Sequence, residues 1–310
     1  MKRHLRLSLA VLIALLICIP ALVQGQQIPS DVEVIRDVEY GKGGDVSLKL
    51  DIVRPKAQPK DPMPVVIFIH GGGWSAGDKQ GGMPHLIPLA QKGYFCATIN
   101  YRLTGIAPFP AQIEDCKCAI RWMRAHAKQY NADPKRIGVW GGSAGGHLVA
   151  LLGTSAGRRE LEGRGGWAGY SSRVQAVCDW FGPTDFLYWA EEVTRKGIDI
   201  VKLENEVAGG VISKLFGGPF SEKRDVARQA GPITYVSKDD PPFLIMHGDQ
   251  DPLVPLSQSQ VFYDALKKAG VDATLKVLEG AGHGFGPKYD ADKTVAEFFD
   301  KHLRKGSNPK

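Results

Sequence analysis

Gly141-Gly142-Ser143-Ala144-Gly145-Gly146 separates a short apolar run, Arg136 to Trp140, from residues 144–156, which carry helical periodicity. The first reads as a strand and the second as a helix. A serine on so abrupt a strand-to-helix turn needs an uncommon backbone conformation, and side chains beside it would clash. Such a turn exposes Ser143 at the C-terminal edge of a sheet and sets the positive end of a helix beneath it. Taken alone, the motif is also compatible with a plain tight turn or a phosphate-binding loop, although the Lys-Ser/Thr ending of a P-loop is missing.

Working outward, residues 32–40 and 46–53 alternate apolar and polar around a Gly-rich turn at 41–44 and predict a β-hairpin. Four prolines between 55 and 64 mark a loop, and Val65 to Ile69 is a continuous apolar strand of buried type. A helix near 84–92, a strand from Tyr94 to Tyr101 and a helix over 111–130 follow. Beyond the serine turn come strands at 174–181, 243–246 and 273–279, and helices at 257–269 and 292–304. Alternating strands and helices imply parallel pairing through right-handed crossovers, hence an α/β fold: a mostly parallel sheet of about eight strands with helices on both faces. Residues 26–310 read as one domain without internal repeats. Segment 184–230 is far longer than an ordinary connection of roughly 2–6 residues, and is expected to be an insertion that covers or walls a site.

Three further motifs fall at predicted strand ends. His70-Gly71-Gly72-Gly73-Trp74 follows the 65–69 strand, and its glycines let backbone N–H groups turn toward a substrate carbonyl. Ala144, directly after Ser143, offers another such N–H. His247-Gly248-Asp249-Gln250-Asp251 follows the 243–246 strand, and Ala281-Gly282-His283-Gly284-Phe285 follows the 273–279 strand. A serine nucleophile needs a histidine to take its proton, and that histidine needs a carboxylate to fix its tautomer. A glycine triplet is often a flexible loop and a loop histidine often a surface residue. Together, in the order Ser, Asp, His and on one sheet edge, the four motifs point to acyl-transfer chemistry.

These motifs, with Asn100-Tyr101-Arg102-Leu103, resemble the BD-FAE-like (bodipy/feruloyl esterase) branch of α/β-hydrolase-fold esterases, related to the hormone-sensitive-lipase-like group. The resemblance covers roughly residues 32–305. It implies a carboxylesterase with Ser143 as nucleophile, Asp251 as acid and His283 as base, and with N–H groups of Gly72, Gly73 and Ala144 as oxyanion donors. It places the acid at the fifth position of the 247–251 motif, leaving Asp249 to cap the loop. It implies neither metal nor organic cofactor, and a small-molecule or polysaccharide-linked ester as substrate, of short-chain acyl or aryl (acetyl or feruloyl) type. Trp74 and Tyr101 are expected to bind substrate. Trp180 and Phe181 fit either a pocket or the core, and His70, His147 and His247 are expected to support loops or core through ring hydrogen bonds. Two departures stand out: Gly142 replaces the acidic residue that usually precedes the nucleophile, and about six residues between Gly25 and the first strand leave no room for an N-terminal helical cap.

Two other catalytic readings share parts of the pattern. Prolyl-oligopeptidase-like peptidases usually carry a large propeller for which this chain has no room, and arylformamidase-like amidases sit badly with an export signal. A non-catalytic hydrolase-fold binding protein usually lacks a member of the triad.

The chain has 310 residues, 23% charged and 43% hydrophobic, close to the globular average of roughly 25% and about 45–50%. This composition excludes disordered, collagenous and disulfide-dense classes. The formal charge is +6, but three of the 39 basic residues (Lys2, Arg3 and Arg6) lie in the first six positions, and no later basic stripe suggests nucleic acid. Those residues with the apolar run Leu7 to Ile19 and the break at Pro20 form the pattern of a secretory signal peptide, cleaved near Gly25. The run is short for a membrane span of roughly 20 residues, so a retained anchor is the lesser reading. A lipoprotein is disfavoured by Ile17 before Cys18. The expectation is a secreted or periplasmic protein without stable membrane insertion after cleavage, its oligomeric state left open. Cys96, Cys116, Cys118 and Cys178 lie in apolar or helical surroundings and are expected to be buried thiols.

Overall fold

The computed structural model describes residues 27–195 and 210–304. The expected signal peptide and part of the long insertion therefore lie outside the described residues. Within them the strands are β1 Val32–Gly43, β2 Val46–Pro55, β3 Met63–Ile69, β4 Phe95–Ile99, β5 Ala132–Gly142, β6 Ala176–Trp180, β7 Phe243–Gly248 and β8 Ala273–Leu278. They form one sheet in the order β1-β2-β4-β3-β5-β6-β7-β8. The β1–β2 and β2–β4 pairs are antiparallel; every later pair is parallel. The helices are α1 Met83–Gln91, α2 Ala111–His126, α3 Ala144–Thr154, α4 Phe186–Arg195, α5 Val211–Phe216, α6 Arg224–Ala230, α7 Ser257–Ala269 and α8 Ala291–Leu303.

The period-2 geometry of a strand explains the two cores. In β3 the side chains of Val65, Ile67 and Ile69 pack with α2 and α3, whereas Val66 and Phe68 pack with α1 and α8. All seven β3 residues are buried, as a central strand covered on both faces must be. The helix expected at 257–269 matches α7, and the other expected elements are found with shifted ends. Strand β5 begins at Ala132 rather than at Arg136, because Ala132 pairs with Met63 across a register irregularity. Tertiary pairing adds residues there that periodicity alone leaves in a loop.

Cys96, Cys116, Cys118 and Cys178 are all buried free thiols. Burial raises each thiol pKa, which keeps them protonated and unreactive.

Because β3 and β5 to β8 run parallel, their C-terminal ends share one edge. That edge gathers the 70–74 loop, Ser143, Phe181, the 249–256 loop and the 279–286 loop. The architecture is the one that open α/β sheets use to place a site.

Candidate active site

The site begins at the turn between β5 and α3. Ser143 caps α3 with φ 57° and ψ −122°, outside the regions that ordinary residues occupy. Its N–H donates to the Trp180 carbonyl at 2.8 Å, and its carbonyl accepts from His147 N–H at 2.9 Å. These bonds hold the strained conformation from both sides. Gly145 is required by close packing: a Cβ there would lie 2.0 Å from the Ile69 carbonyl oxygen.

Ser143 opens into a cleft of about 520 Å³ that is also lined by Gly71, Gly72, Gly73, Gly142 and His283. Gly72 has φ +107°, a conformation that favours glycine. Among the described residues, no acceptor meets the N–H groups of Gly72, Gly73 or Ala144. Ala144 begins α3, so its N–H lies at the positive end of that helix.

His283 Nδ1 lies 2.7 Å from Asp251 Oδ2, which fixes the imidazole with Nδ1–H toward the carboxylate. The Asp251 side chain is buried, and burial works against its charge. Donors from His247 and His283, with the N–H groups of Val254 and Leu253, outweigh that cost and hold its carboxyl well below the usual range. Asp249 takes no part in this: its Oδ1 accepts from Gly280 N–H at 2.7 Å and pins the turn before His283.

The remaining loop histidines support structure. His70 Nδ1 donates to the Gly71 carbonyl at 2.7 Å, and its ring stacks on Tyr101 at 4.4 Å. His147 accepts from Trp74 Nε1 at 3.0 Å and donates to the Ala230 carbonyl at 2.7 Å. Burial lowers the pKa of His70, and drops that of His147 to about 4, so both rings are neutral near pH 7. His247 is fully buried, with Nδ1 2.7 Å from Ser259 Oγ and Nε2 3.3 Å from Asp251 Oδ2.

One expectation needs correction. Trp74 and Tyr101 do not line the cleft. They are 3% and 4% exposed, and each is tied inward: Trp74 through His147, Tyr101 by donating to the His70 carbonyl at 3.1 Å. Their adjacency to the glycine loop in sequence reflects support from below. The expected insertion at 184–230 is described only in part, residues 196–209 lying outside the described residues, and its described part sits beside the glycine loop. Val211 abuts Gly73, Phe186 packs near Trp74 and His147, and no described residue of the segment lines the cavity. Trp180 and Phe181 serve both roles first considered for them, being 7% exposed and yet part of the cleft wall. The sequence reading missed His85 and Phe285. No motif marks His85 on α1, whereas Phe285 stands two positions after His283 and could have been suspected from that spacing.

The sheet order, the serine turn and the cleft at the strand ends define an α/β-hydrolase-fold protein. The chain belongs to the BD-FAE family, whose model matches residues 50–266. Esterase LipQ of Mycobacterium tuberculosis is 36% identical over 253 residues, covering 80% of this chain and 56% of that protein. This chain thus spans little more than half the length of that relative. Among solved structures, a truncated carbohydrate esterase from gut microbiota has a TM-score of 0.76 and 33% identity, covering 87% of this chain and 95% of that one. Butyrate-bound esterase Est2 of Thermogutta terrifontis has a TM-score of 0.70 and 28% identity, covering 91% of this chain and 97% of that one.

Proposed function

We propose that the protein is an exported carboxylic ester hydrolase acting through a Ser143–His283–Asp251 triad on short-chain acyl or aryl esters, of acetyl or feruloyl type. The observation that carries this reading is the 2.7 Å His283–Asp251 contact beside a serine at φ 57° on the same cleft. His283 Nε2 takes the Ser143 hydroxyl proton as Oγ bonds to the ester carbonyl carbon. The carbonyl oxygen becomes an oxyanion held by N–H groups of Gly72, Gly73 and Ala144. Collapse breaks the bond to the alcohol, which leaves with the proton from His283. Water then enters, gives a proton to His283 and attacks the acyl-enzyme. A second collapse releases the acid and returns the proton to Ser143. Asp251 stabilises the imidazolium in both halves without taking a proton itself.

The esterase names of LipQ and Est2 support ester hydrolysis, and the carbohydrate esterase neighbour supports an acyl group carried on a sugar. The basic, apolar start of the sequence supports export. The test is hydrolysis of p-nitrophenyl esters from acetate to palmitate by the parent and by Ser143→Ala. The expected result is activity that falls with chain length and is lost in the variant. Equal rates from both proteins on every ester would overturn the reading.

A further inference from the structure

The cleft holds a second histidine–carboxylate pair that the proposed mechanism does not use. His85, on α1, lines the same cavity as Ser143 and His283. Its Nδ1 lies 3.1 Å and 3.2 Å from the two carboxylate oxygens of Asp292, in the first turn of α8. A carboxylate only accepts, so Nδ1 carries a hydrogen, and in the neutral imidazole Nε2 is left as an acceptor. Among the described residues nothing donates to that Nε2. The ring cannot turn freely, because it stacks on Phe68 at 5.3 Å and meets Trp180 at 5.4 Å and 87°.

We infer that His85, oriented by Asp292, is a specificity residue that accepts a hydrogen bond from a hydroxyl group on an aromatic ring of the substrate. The inference rests on the ester-hydrolase reading and narrows its substrate class. Three observations carry it. The first is that His85, in its neutral form, offers Nε2 as an acceptor in the wall of the cleft, with the tautomer set by Asp292. The second is continuity: neighbouring rings join the two histidines, from His85 to Trp180, on to Phe181 at 6.4 Å, and then to His283 at 4.5 Å. His85 and His283 therefore share one aromatic wall, against which a substrate ring carrying the hydroxyl would pack on its way to the ester. The third is the wall itself. Phe68, Trp180 and Phe181 are only 6–7% exposed and meet their neighbours mostly at steep angles, as do Trp180 and Phe285 at 65°. With Phe285 they make one side of the cavity an aromatic surface. An aryl ring gains from packing against such an aromatic surface, offset or edge-to-face.

The test pairs esters that differ by one hydroxyl: para-hydroxyphenylpropanoate and phenylpropanoate methyl esters for the acyl side, para-hydroxyphenyl acetate and phenyl acetate for the alcohol side. The variants are His85→Phe, which keeps a ring against Phe68 but removes the acceptor, and Asp292→Ala, which frees the tautomer. The expected result is that the preference for the hydroxylated member of one pair, read as a ratio of kcat/KM values, falls about tenfold in His85→Phe and less in Asp292→Ala. The pair that responds identifies the side of the ester that enters. An unchanged ratio in both pairs would overturn the inference and leave the ester-hydrolase reading intact. Calorimetric binding of para-hydroxyphenylpropanoate and phenylpropanoate to Ser143→Ala, with and without His85→Phe, reads the subsite without turnover. A preference for the hydroxylated acid that the double variant loses supports the subsite even if every ester proves inert. Equal binding of both acids by Ser143→Ala counts against it.

Discussion

His283 Nδ1 meets Asp251 Oδ2 at 2.7 Å although the two residues lie 32 positions apart, on loops that follow different strands. Because β7 and β8 are parallel neighbours, both loops leave the same edge, and the contact follows from the topology. The same carboxylate accepts from Leu253 and Val254 N–H at 2.8 Å and 3.0 Å, so it is fixed before His283 reaches it.

That relationship separates the two aspartates of the loop. Asp251→Asn leaves the shape of the site but removes the charge that fixes the His283 tautomer, and kcat on p-nitrophenyl acetate is expected to fall on the order of 10⁴-fold. Asp249→Asn retains an oxygen for Gly280 N–H and is expected to stay within about threefold of the parent, as for a loop-supporting residue. Steady-state kinetics of the two variants, with circular dichroism to verify folding, decides between them; the reverse order would reassign the acid.

The glycine loop makes a second prediction. At Gly72 the backbone sits at φ +107°, and a Cβ would fall 2.3 Å from the Ala76 carbonyl oxygen. Gly72→Ala must therefore displace the loop and its N–H groups. The expected loss is about 10²–10³ in kcat, the usual effect of removing an oxyanion donor, with KM changed much less. An alanine variant of parental kcat would remove this loop from the mechanism.

Trp74 makes a third, through stability. Trp74→Phe keeps a ring in the core but leaves His147 Nδ1 without its donor in a fully buried position. The expected cost is about 1–3 kcal/mol in urea unfolding. Because the parent ring is 3% exposed and outside the cleft wall, KM for p-nitrophenyl esters should hold near the parental value. A raised KM with undiminished stability would restore Trp74 to the substrate.

Buried titratable groups predict opposite slopes of stability with pH. His147 is lowered by burial from 6.5 to about 4, so between those values the unfolded chain binds the proton and the folded one does not. Its contribution is complete above pH 6.5 and is lost as pH falls toward 4, by about 1.4 kcal/mol per pH unit at most. Asp179, beneath the serine turn, is raised by burial from 3.8 to about 6, against the lowering effect of Gly182 N–H and His247. There the folded state holds the proton more tightly, and stability falls as pH rises from 3.8 through 6. Asp179→Asn is thus expected to raise the unfolding free energy relative to the parent more at pH 8 than at pH 4. Urea melts of both proteins at the two pH values test this; a larger benefit at pH 4 would contradict the assigned burial.

The fold and the candidate site residues were legible in the sequence because both depend on local rules. Alternation identifies the hairpin, an unbroken apolar run marks β3, and a serine among four glycines can serve few backbones other than a sharp turn. Parallel order then puts every motif on one edge, so Ser143, Asp251 and His283 could be nominated from their positions after predicted strands. Only the tertiary structure decided what surrounds them. Trp74 and Tyr101 neighbour the glycine loop in sequence but pack under it, because packing direction depends on which helix covers that face of the sheet. His85 enters the cleft and meets Asp292 across 207 residues, where α1 and α8 cover the same face. No local pattern records such a meeting: it exists only after the sheet has brought both helices together.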